Sequence, residues 1–266
     1  RRAIVAALEQ FSSTAGEPIA HDDALEFRLR TLNCYACHAR GDRGGVGPDR
    51  RRFFEVAGHV DLGDEGRIPP PLDGVGRKLN SANLEKVLDG TADVRPHMLA
   101  RMPVFPAVET KPLPAHFAAV DGADARSADD VFTATDAPAD AGRELLNVGC
   151  VQCHAIRGER LPGVVGVDLS GTTDRVRPEW FREFLLNPAA LKPRTRMPTF
   201  FPNGKAPNLD LLDDDVERQI AAIWTYLADL PNQSLPARIE QERVHNFALV
   251  PTDQPILLRT FIRNPG

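Results

Sequence analysis

Four cysteines and two histidines form the most distinctive chemical pattern in the chain. The 266 residues contain four cysteines in all, in two copies of one spacing where a histidine directly follows the second cysteine. Two thiols on one turn of chain can each form a thioether with a haem vinyl group, and the adjacent imidazole can ligate the iron. The spacing therefore predicts two covalently bound haem c groups. The motif residues are Cys34, Cys37 and His38 in the first copy and Cys150, Cys153 and His154 in the second.

Other uses of paired cysteines explain this pattern less well. Zinc sites usually bring their cysteine pairs close together in sequence, whereas Cys37 and Cys150 are far apart. A thioredoxin-like redox motif requires a strand-helix-strand unit, and no such pattern surrounds either pair. Two structural disulfides would not require a histidine after each pair. Haem attachment is the interpretation that uses every residue of the motif.

The two motifs lie in a sequence repeat. Residues 71–74 (PLDG) correspond to residues 168–171 (DLSG), and residues 101–105 (RMPVF) correspond to residues 196–200 (RMPTF). Each half has the order helix, haem motif, loop, helix, Arg-Met-Pro and final helix, which indicates two related domains. The loop after the first haem motif is longer than its counterpart in the second half and is rich in glycine and arginine.

Apolar spacing and breaker residues predict the helices. In the second half, helices are expected at 140–148, 178–186 and 213–230. In the first half, Ser81 is expected to cap a helix that ends near Leu88, and the final helix, over 113–120, has little support. A short helix is also expected near the N-terminus. Its apolar face would comprise Ile4, Leu8 and Phe11.

A haem iron with a proximal histidine needs a sixth ligand for simple electron transfer. The chain has three methionines, and two of them, Met102 and Met197, occupy the matched Arg-Met-Pro positions downstream of their haem motifs. A neutral thioether favours Fe(II) over Fe(III) and so raises the reduction potential. Met102 and Met197 are therefore predicted to ligate the iron. In the first half, Met98 and His97 stay open as alternatives, because both lie just before Met102.

These features resemble class I cytochromes c in tandem. The second half carries most of the resemblance, through its haem motif, the segment 166–171 (GVDLSG), the Arg-Met-Pro motif at 196–198 and a final helix with Trp224 and Tyr226. The resemblance implies an all-α fold of two small domains, each wrapped around one haem.

The same resemblance implies an acceptor for the ring N–H of each ligand histidine. The family usually has a proline whose carbonyl accepts this hydrogen bond. Pro70 occupies that position in the first half, and Val167 occupies it in the second. A valine carbonyl can accept the same bond, although its backbone is less rigid than that of proline.

Domain boundaries follow from the repeat and from local composition. The first haem domain with its N-terminal extension is expected at 1–121, a linker at 122–138, the second haem domain at 139–231 and an extension at 232–266. Apolar runs at 247–250 and 255–258 predict short strands in this extension. This tail and the first haem motif also resemble modules of large multidomain planctomycete-type cytochromes, and the chain is expected to be a piece of a larger polypeptide.

The motifs predict a dihaem electron-transfer module that relays electrons from a dehydrogenase or carrier to an acceptor. The chain itself is not expected to be an enzyme, although it could belong to a larger oxidoreductase. Two alternatives stay open. A dihaem peroxidase would keep one haem open to peroxide, and a haem-based sensor or interaction module would bind a gas or a partner without fast electron exchange.

Charge and hydropathy limit the partners and the location. A net charge of -5 argues against nucleic acid as the main partner, and no apolar stretch is long enough to span a membrane. Redox proteins, and further domains of the same polypeptide, are the expected partners. Covalent haem predicts a periplasmic or otherwise exported protein whose export signal lies outside these residues.

Overall fold

The computed structural model describes residues 19–54, 66–92, 95, 98–123, 126–133, 136–164, 166–193, 195–206 and 210–248. Regular structure in these ranges is mostly helical, as the predicted all-α class requires, with one small two-stranded sheet. The chain divides into two compact units, and the division falls between residues 123 and 126. The helix predicted around Ile4, Leu8 and Phe11 lies outside the described residues. Within the described ranges, no helix combines the length and apolarity needed to cross a membrane.

The first unit places one long helix and one short final helix around several small elements. Its elements are α1 (His21–Thr31), β1 (Ala39–Arg40), β2 (Arg43–Gly44), α2 (Pro48–Arg51), α3 (Val75–Lys78), α4 (Ser81–Leu88), α5 (Ala107–Thr110) and α6 (Leu113–Val120). The antiparallel hairpin of β1 and β2 directly follows the first cysteine motif. The final helix α6 matches the range 113–120 expected from the sequence.

Helix α6 is the centre of the first core, because α1, α3 and α4 all pack against it. At Gly76 of α3, an added Cβ would lie 2.2 Å from the carbonyl oxygen of Phe117, so only glycine allows this close approach. The buried residues of this core are Leu25, Leu29, Val75, Leu84, Leu113 and Phe117.

The cap of α4 corrects one prediction. The helix spans Ser81–Leu88, but its N-cap is Asn80 and not Ser81. The Asn80 side-chain oxygen accepts a hydrogen bond from the backbone N–H of Asn83 at 2.8 Å. Asn80 has the extended backbone angles that an N-cap needs (φ -70°, ψ 153°), whereas Ser81 is the first residue of the helix.

The second unit is built on the crossing of two longer helices. Its elements are α7 (Ala128–Val131), α8 (Ala139–Val148), α9 (Thr172–Arg175), α10 (Pro178–Leu186), α11 (Pro188–Leu191), α12 (Val216–Ala228) and α13 (Ala237–Ala248). Helices α8 and α12 make the most extensive contact of the unit. At their crossing, a Cβ on Gly142 would lie 2.1 Å from the carbonyl oxygen of Ala222. The backbones of the two helices therefore touch at this point.

Two of the predicted helices in this unit are close to the observed ones, and the third is too long. Helices α8 and α10 begin and end within one residue of their expected limits. Helix α12 begins at Val216 because Leu212, Asp213 and Asp214 have positive φ angles. The Asp215 side chain then caps the helix by accepting the backbone N–H groups of its second and third residues.

The expected linker and C-terminal extension both contain additional structure. Within 122–138, a capping box stabilises the N-terminus of α7. After this helix, the ring centroid of Phe132 lies 5.3 Å from that of Trp224 in α12. The strand predicted to start at Phe247 is wrong for its first two residues, because Phe247 and Ala248 end the helix α13. The backbone N–H groups of Ile239 and Glu240 donate to the Pro236 carbonyl, so this helix begins well before the apolar run and continues through its first two residues. The remaining residues of the predicted strands lie outside the described ranges.

Candidate functional sites

The first cysteine motif forms a 3-10 turn directly after α1. The turn spans Cys34–Ala36. The Cys34 carbonyl oxygen accepts the backbone N–H groups of Cys37 at 3.1 Å and of His38 at 2.9 Å. Both thiols and the imidazole therefore belong to one closed turn of backbone.

The second motif has the same backbone arrangement after α8. Its turn spans Cys150–Gln152, and the Cys150 carbonyl oxygen accepts the N–H groups of Cys153 at 3.0 Å and of His154 at 2.8 Å. The two motifs thus agree in hydrogen bonding to within a few tenths of an ångström, although the residues between their cysteines differ. Identical turns in two different sequences indicate a shared function for this geometry.

Each histidine is anchored through one ring nitrogen. Nδ1 of His38 donates to the Pro70 carbonyl at 2.7 Å, and Nδ1 of His154 donates to the Val167 carbonyl at 2.8 Å. These are the acceptors that the resemblance implied, so both contacts are confirmed. Donation from Nδ1 fixes the tautomer and leaves Nε2 with a lone pair for a metal ion. Burial lowers the pKa of both histidines, which favours the neutral form of the ring, the form that can ligate a metal ion.

The thiols are unsuited to disulfide exchange. Burial raises the pKa of the Cys34 thiol, and it raises the pKa of the Cys150 thiol to about 12. A thioredoxin-like cysteine needs a lowered pKa, because the thiolate is the attacking species. The four cysteines form no disulfide with one another. The electrostatics therefore give the thioredoxin-like alternative no support.

The loop that follows each histidine returns to the motif by the same backbone hydrogen bond. In the first unit the Leu72 N–H donates to the Ala39 carbonyl at 2.7 Å, and in the second the Leu169 N–H donates to the Ala155 carbonyl at 2.9 Å. In each unit the donor of this bond lies two residues after the residue whose carbonyl accepts the histidine N–H. The returning loop therefore fixes the acceptor carbonyl, and the acceptor carbonyl fixes the imidazole.

The second loop also needs a glycine for its close approach. The Gly166 N–H donates to the Cys153 carbonyl at 2.7 Å. An added Cβ on Gly166 would lie 2.1 Å from that carbonyl oxygen and 3.0 Å from Nδ1 of His154. A side chain at this position would displace either the cysteine turn or the histidine ring.

Two charged residues near His154 were missed by the sequence analysis. Asp168 and Arg175 both act electrostatically on the His154 ring, and Arg175 is substantially desolvated, which lowers its pKa. Within the described part of the chain, the Arg175 guanidinium forms no hydrogen bond or ion pair. A desolvated cation beside His154 suits an anionic group bound at this site. No local motif marks Arg175, because its burial depends on the fold.

The predicted methionine ligands differ in exposure. Met102 is 40% exposed and Met197 is half-buried, whereas Met98 is 6% exposed and belongs to the core. The Met98 sulfur lies 3.9 Å from a guanidinium nitrogen of Arg95. Arg95 also acts electrostatically on the His38 ring, so Met98 keeps its place beside Met102 as a candidate ligand of the first site. His97, the other alternative, lies outside the described residues.

The described residues contain no group of three or more His, Cys, Asp or Glu side chains arranged to bind a metal ion. The candidate sites are therefore the two motifs, each with one anchored imidazole and two thiols. Comparisons with models of protein families, with curated proteins and with solved structures find no match for this chain.

Proposed function

We propose that this chain is a dihaem c-type cytochrome module, built from two class I cytochrome c-like domains, that transfers electrons. The observation that carries the proposal is the duplicated proximal site. Each unit has a cysteine turn, a neutral histidine fixed through Nδ1 and a returning loop that holds the acceptor carbonyl.

The residues of each site fit a covalently attached haem. Bound haem would supply an Fe(II)/Fe(III) couple, with His38 or His154 as the proximal ligand and Met102 or Met197 as the proposed sixth ligand. The two cysteines of each turn would hold the cofactor through thioethers. In the second unit, Arg175 would neutralise a propionate and so offset the cost of burying it.

The remaining residues favour a carrier over a catalyst. With a histidine and a methionine both bound, a haem iron would have no position left for a substrate, and the anchoring of each histidine would limit reorganisation when the charge on the iron changes. Redox proteins, or further domains of the same polypeptide, are the proposed donors and acceptors. Covalent haem attachment supports a periplasmic or otherwise exported location.

The experiment is expression of the full chain in a bacterium that has a cytochrome c maturation system. Denatured wild-type protein should keep two haems by mass spectrometry. Each double variant, Cys34→Ser with Cys37→Ser or Cys150→Ser with Cys153→Ser, should keep one. Serine preserves the shape of cysteine, so the variants test thioether formation alone. Wild-type protein without covalent haem would contradict the proposal.

The same preparation separates the carrier from the peroxidase alternative. A carrier with two hexacoordinate haems should give no substantial peroxide turnover with a reduced donor, and its reduced form should bind carbon monoxide slowly or not at all. Rapid turnover, or rapid carbon monoxide binding by one haem, would show that one axial position is open and would favour the enzyme.

A further inference from the structure

The two proximal loops share the histidine acceptor contact and the loop-closing backbone bond, but they carry their carboxylates at different positions. The residue after the acceptor carbonyl is Pro71 in the first unit and Asp168 in the second. In both units the next residue, Leu72 or Leu169, donates the backbone bond that closes the loop. A carboxylate in the second unit thus occupies the place of an uncharged ring in the first.

Asp168 is held as an anion by the loop itself. Its side-chain oxygens accept the backbone N–H groups of Gly158 at 2.6 Å and of Ser170 at 2.7 Å. Partial burial acts to raise the pKa of Asp168, but the hydrogen bonds led by Ser170 outweigh burial and leave the pKa lowered. Asp168 is therefore ionised at neutral pH, and its charge acts on the His154 ring.

The neighbouring charges do not cancel this difference between the units. One cation acts on each histidine ring, Arg175 on His154 and Arg95 on His38. The first unit has a carboxylate at Asp73, in the place of Ser170, but Asp73 is exposed and bonds to the Gly41 N–H at 2.7 Å. An exposed charge is screened by solvent more strongly than the half-buried Asp168.

We infer that Asp168 lowers the reduction potential of the second haem and makes it the lower-potential centre of the pair, a role that rests on the proposed function. A negative charge beside the proximal histidine stabilises Fe(III) relative to Fe(II). With His/Met ligation at both irons, the local charge decides which haem gives up its electron first. Electrons that enter the protein then collect on the first haem.

The test is a spectroelectrochemical titration of the dihaem protein, fitted with two one-electron components. In Asp168→Asn, the lower component should rise, with about a tenfold change in the Fe(II)/Fe(III) ratio at fixed potential, or about 59 mV. In Pro71→Asp, the other component should fall. The two variants thus move different components in opposite directions.

Two further variants separate charge from loop structure. Ser170→Ala removes a hydroxyl that hydrogen-bonds to Asp168 and accepts the Arg157 N–H at 2.8 Å. The variant keeps the Asp168 charge and should move the lower component much less than Asp168→Asn does. Asp168→Glu keeps the charge and should stay close to wild type. An intact dihaem protein whose lower component does not rise in Asp168→Asn contradicts this inference alone. A wild-type chain without covalent haem overturns the proposed function, and the inference with it.

Discussion

The two units build the same cysteine turn on unequal scaffolds. In the second unit, the 13-residue α12 crosses α8 with backbone contact at Gly142. In the first, the final helix α6 has only 8 residues. The turn and its histidine contact nevertheless agree closely between the units. The proximal site is therefore a local structure of turn and loop, and quite different helix packing can support it.

The first unit contains a partly buried ion pair near the end of its short final helix. Arg40 and Asp121 lie 2.6 Å apart, and their side chains are 18% and 5% exposed. Asp121 also accepts the Gly76 N–H at 2.7 Å, while Arg40 donates to the Leu72 carbonyl at 2.6 Å. This pair links the strand after the first motif to α3, to the returning loop and to the end of α6.

The largest effect is expected at the helix crossing of the second unit. Gly142→Ala should destabilise this unit by about 3 kcal/mol, because the new methyl group overlaps the Ala222 carbonyl oxygen and forces the helices apart. Both tryptophans of the chain, Trp180 and Trp224, lie in the second unit, so denaturant unfolding followed by tryptophan fluorescence reports on it.

The control for this substitution is Gly47→Ala. Gly47 has ordinary backbone angles, and a Cβ there would meet nothing within 4 Å. Its fluorescence midpoint should stay at the wild-type value. An unchanged midpoint in Gly142→Ala would mean that the two helices can separate without cost, and the contrast between the scaffolds would then be wrong.

A smaller effect is expected at the ion pair of the first unit. Asp121→Ala leaves Arg40 and the Gly76 N–H without their partner and should cost the first unit about 2 kcal/mol. Circular dichroism should then detect helix loss at lower denaturant, while the tryptophan transition stays in place.

The matched control uses an ion pair of the second unit that is more exposed. Glu217 pairs with Arg182, and their side chains are 49% and 36% exposed. Glu217→Ala should therefore cost less than about 1 kcal/mol. Equal losses from Asp121→Ala and Glu217→Ala would show that burial gives the first pair no special importance.

The smallest effect is the part of the acid pH dependence that comes from Glu26 in the first unit. The Tyr35 hydroxyl, followed by the Arg30 guanidinium, lowers the pKa of Glu26 from 4.5 to about 2. A lowered pKa means that the Glu26 carboxylate stabilises the folded unit above pH 4.5, and that this contribution is lost as the pH falls toward 2.

In Glu26→Gln, the free energy of unfolding of the first unit should therefore depend less on pH between pH 5 and pH 2, as measured by circular dichroism in denaturant. Tyr35→Phe removes the hydrogen bond with the largest influence and should weaken this pH dependence in part. A wild-type slope that persists in Glu26→Gln would assign the pH dependence to other carboxylates.

Local signals predicted the sites better than they predicted element ends. The cysteine spacing indicated the turns, and the resemblance to class I cytochromes c implied Pro70 and Val167 as histidine acceptors. Both depend on short stretches of chain. The start of α12 depended on which of several neighbouring aspartates would cap it, and only the backbone of the folded chain selects Asp215. The role of Arg175 depended on burial, which arises from long-range packing and leaves no local pattern.

The most direct test of the central claim is the far-red absorption band of oxidised holoprotein, which reports methionine bound to Fe(III). Met102→Ala and Met197→Ala should each remove about half of the band, since the account assigns one methionine ligand to each iron. Met98→Ala is the control and should leave the band intact. A band that survives Met102→Ala but is lost in Met98→Ala, or is absent from the wild type, would contradict the account of two equivalent His/Met sites.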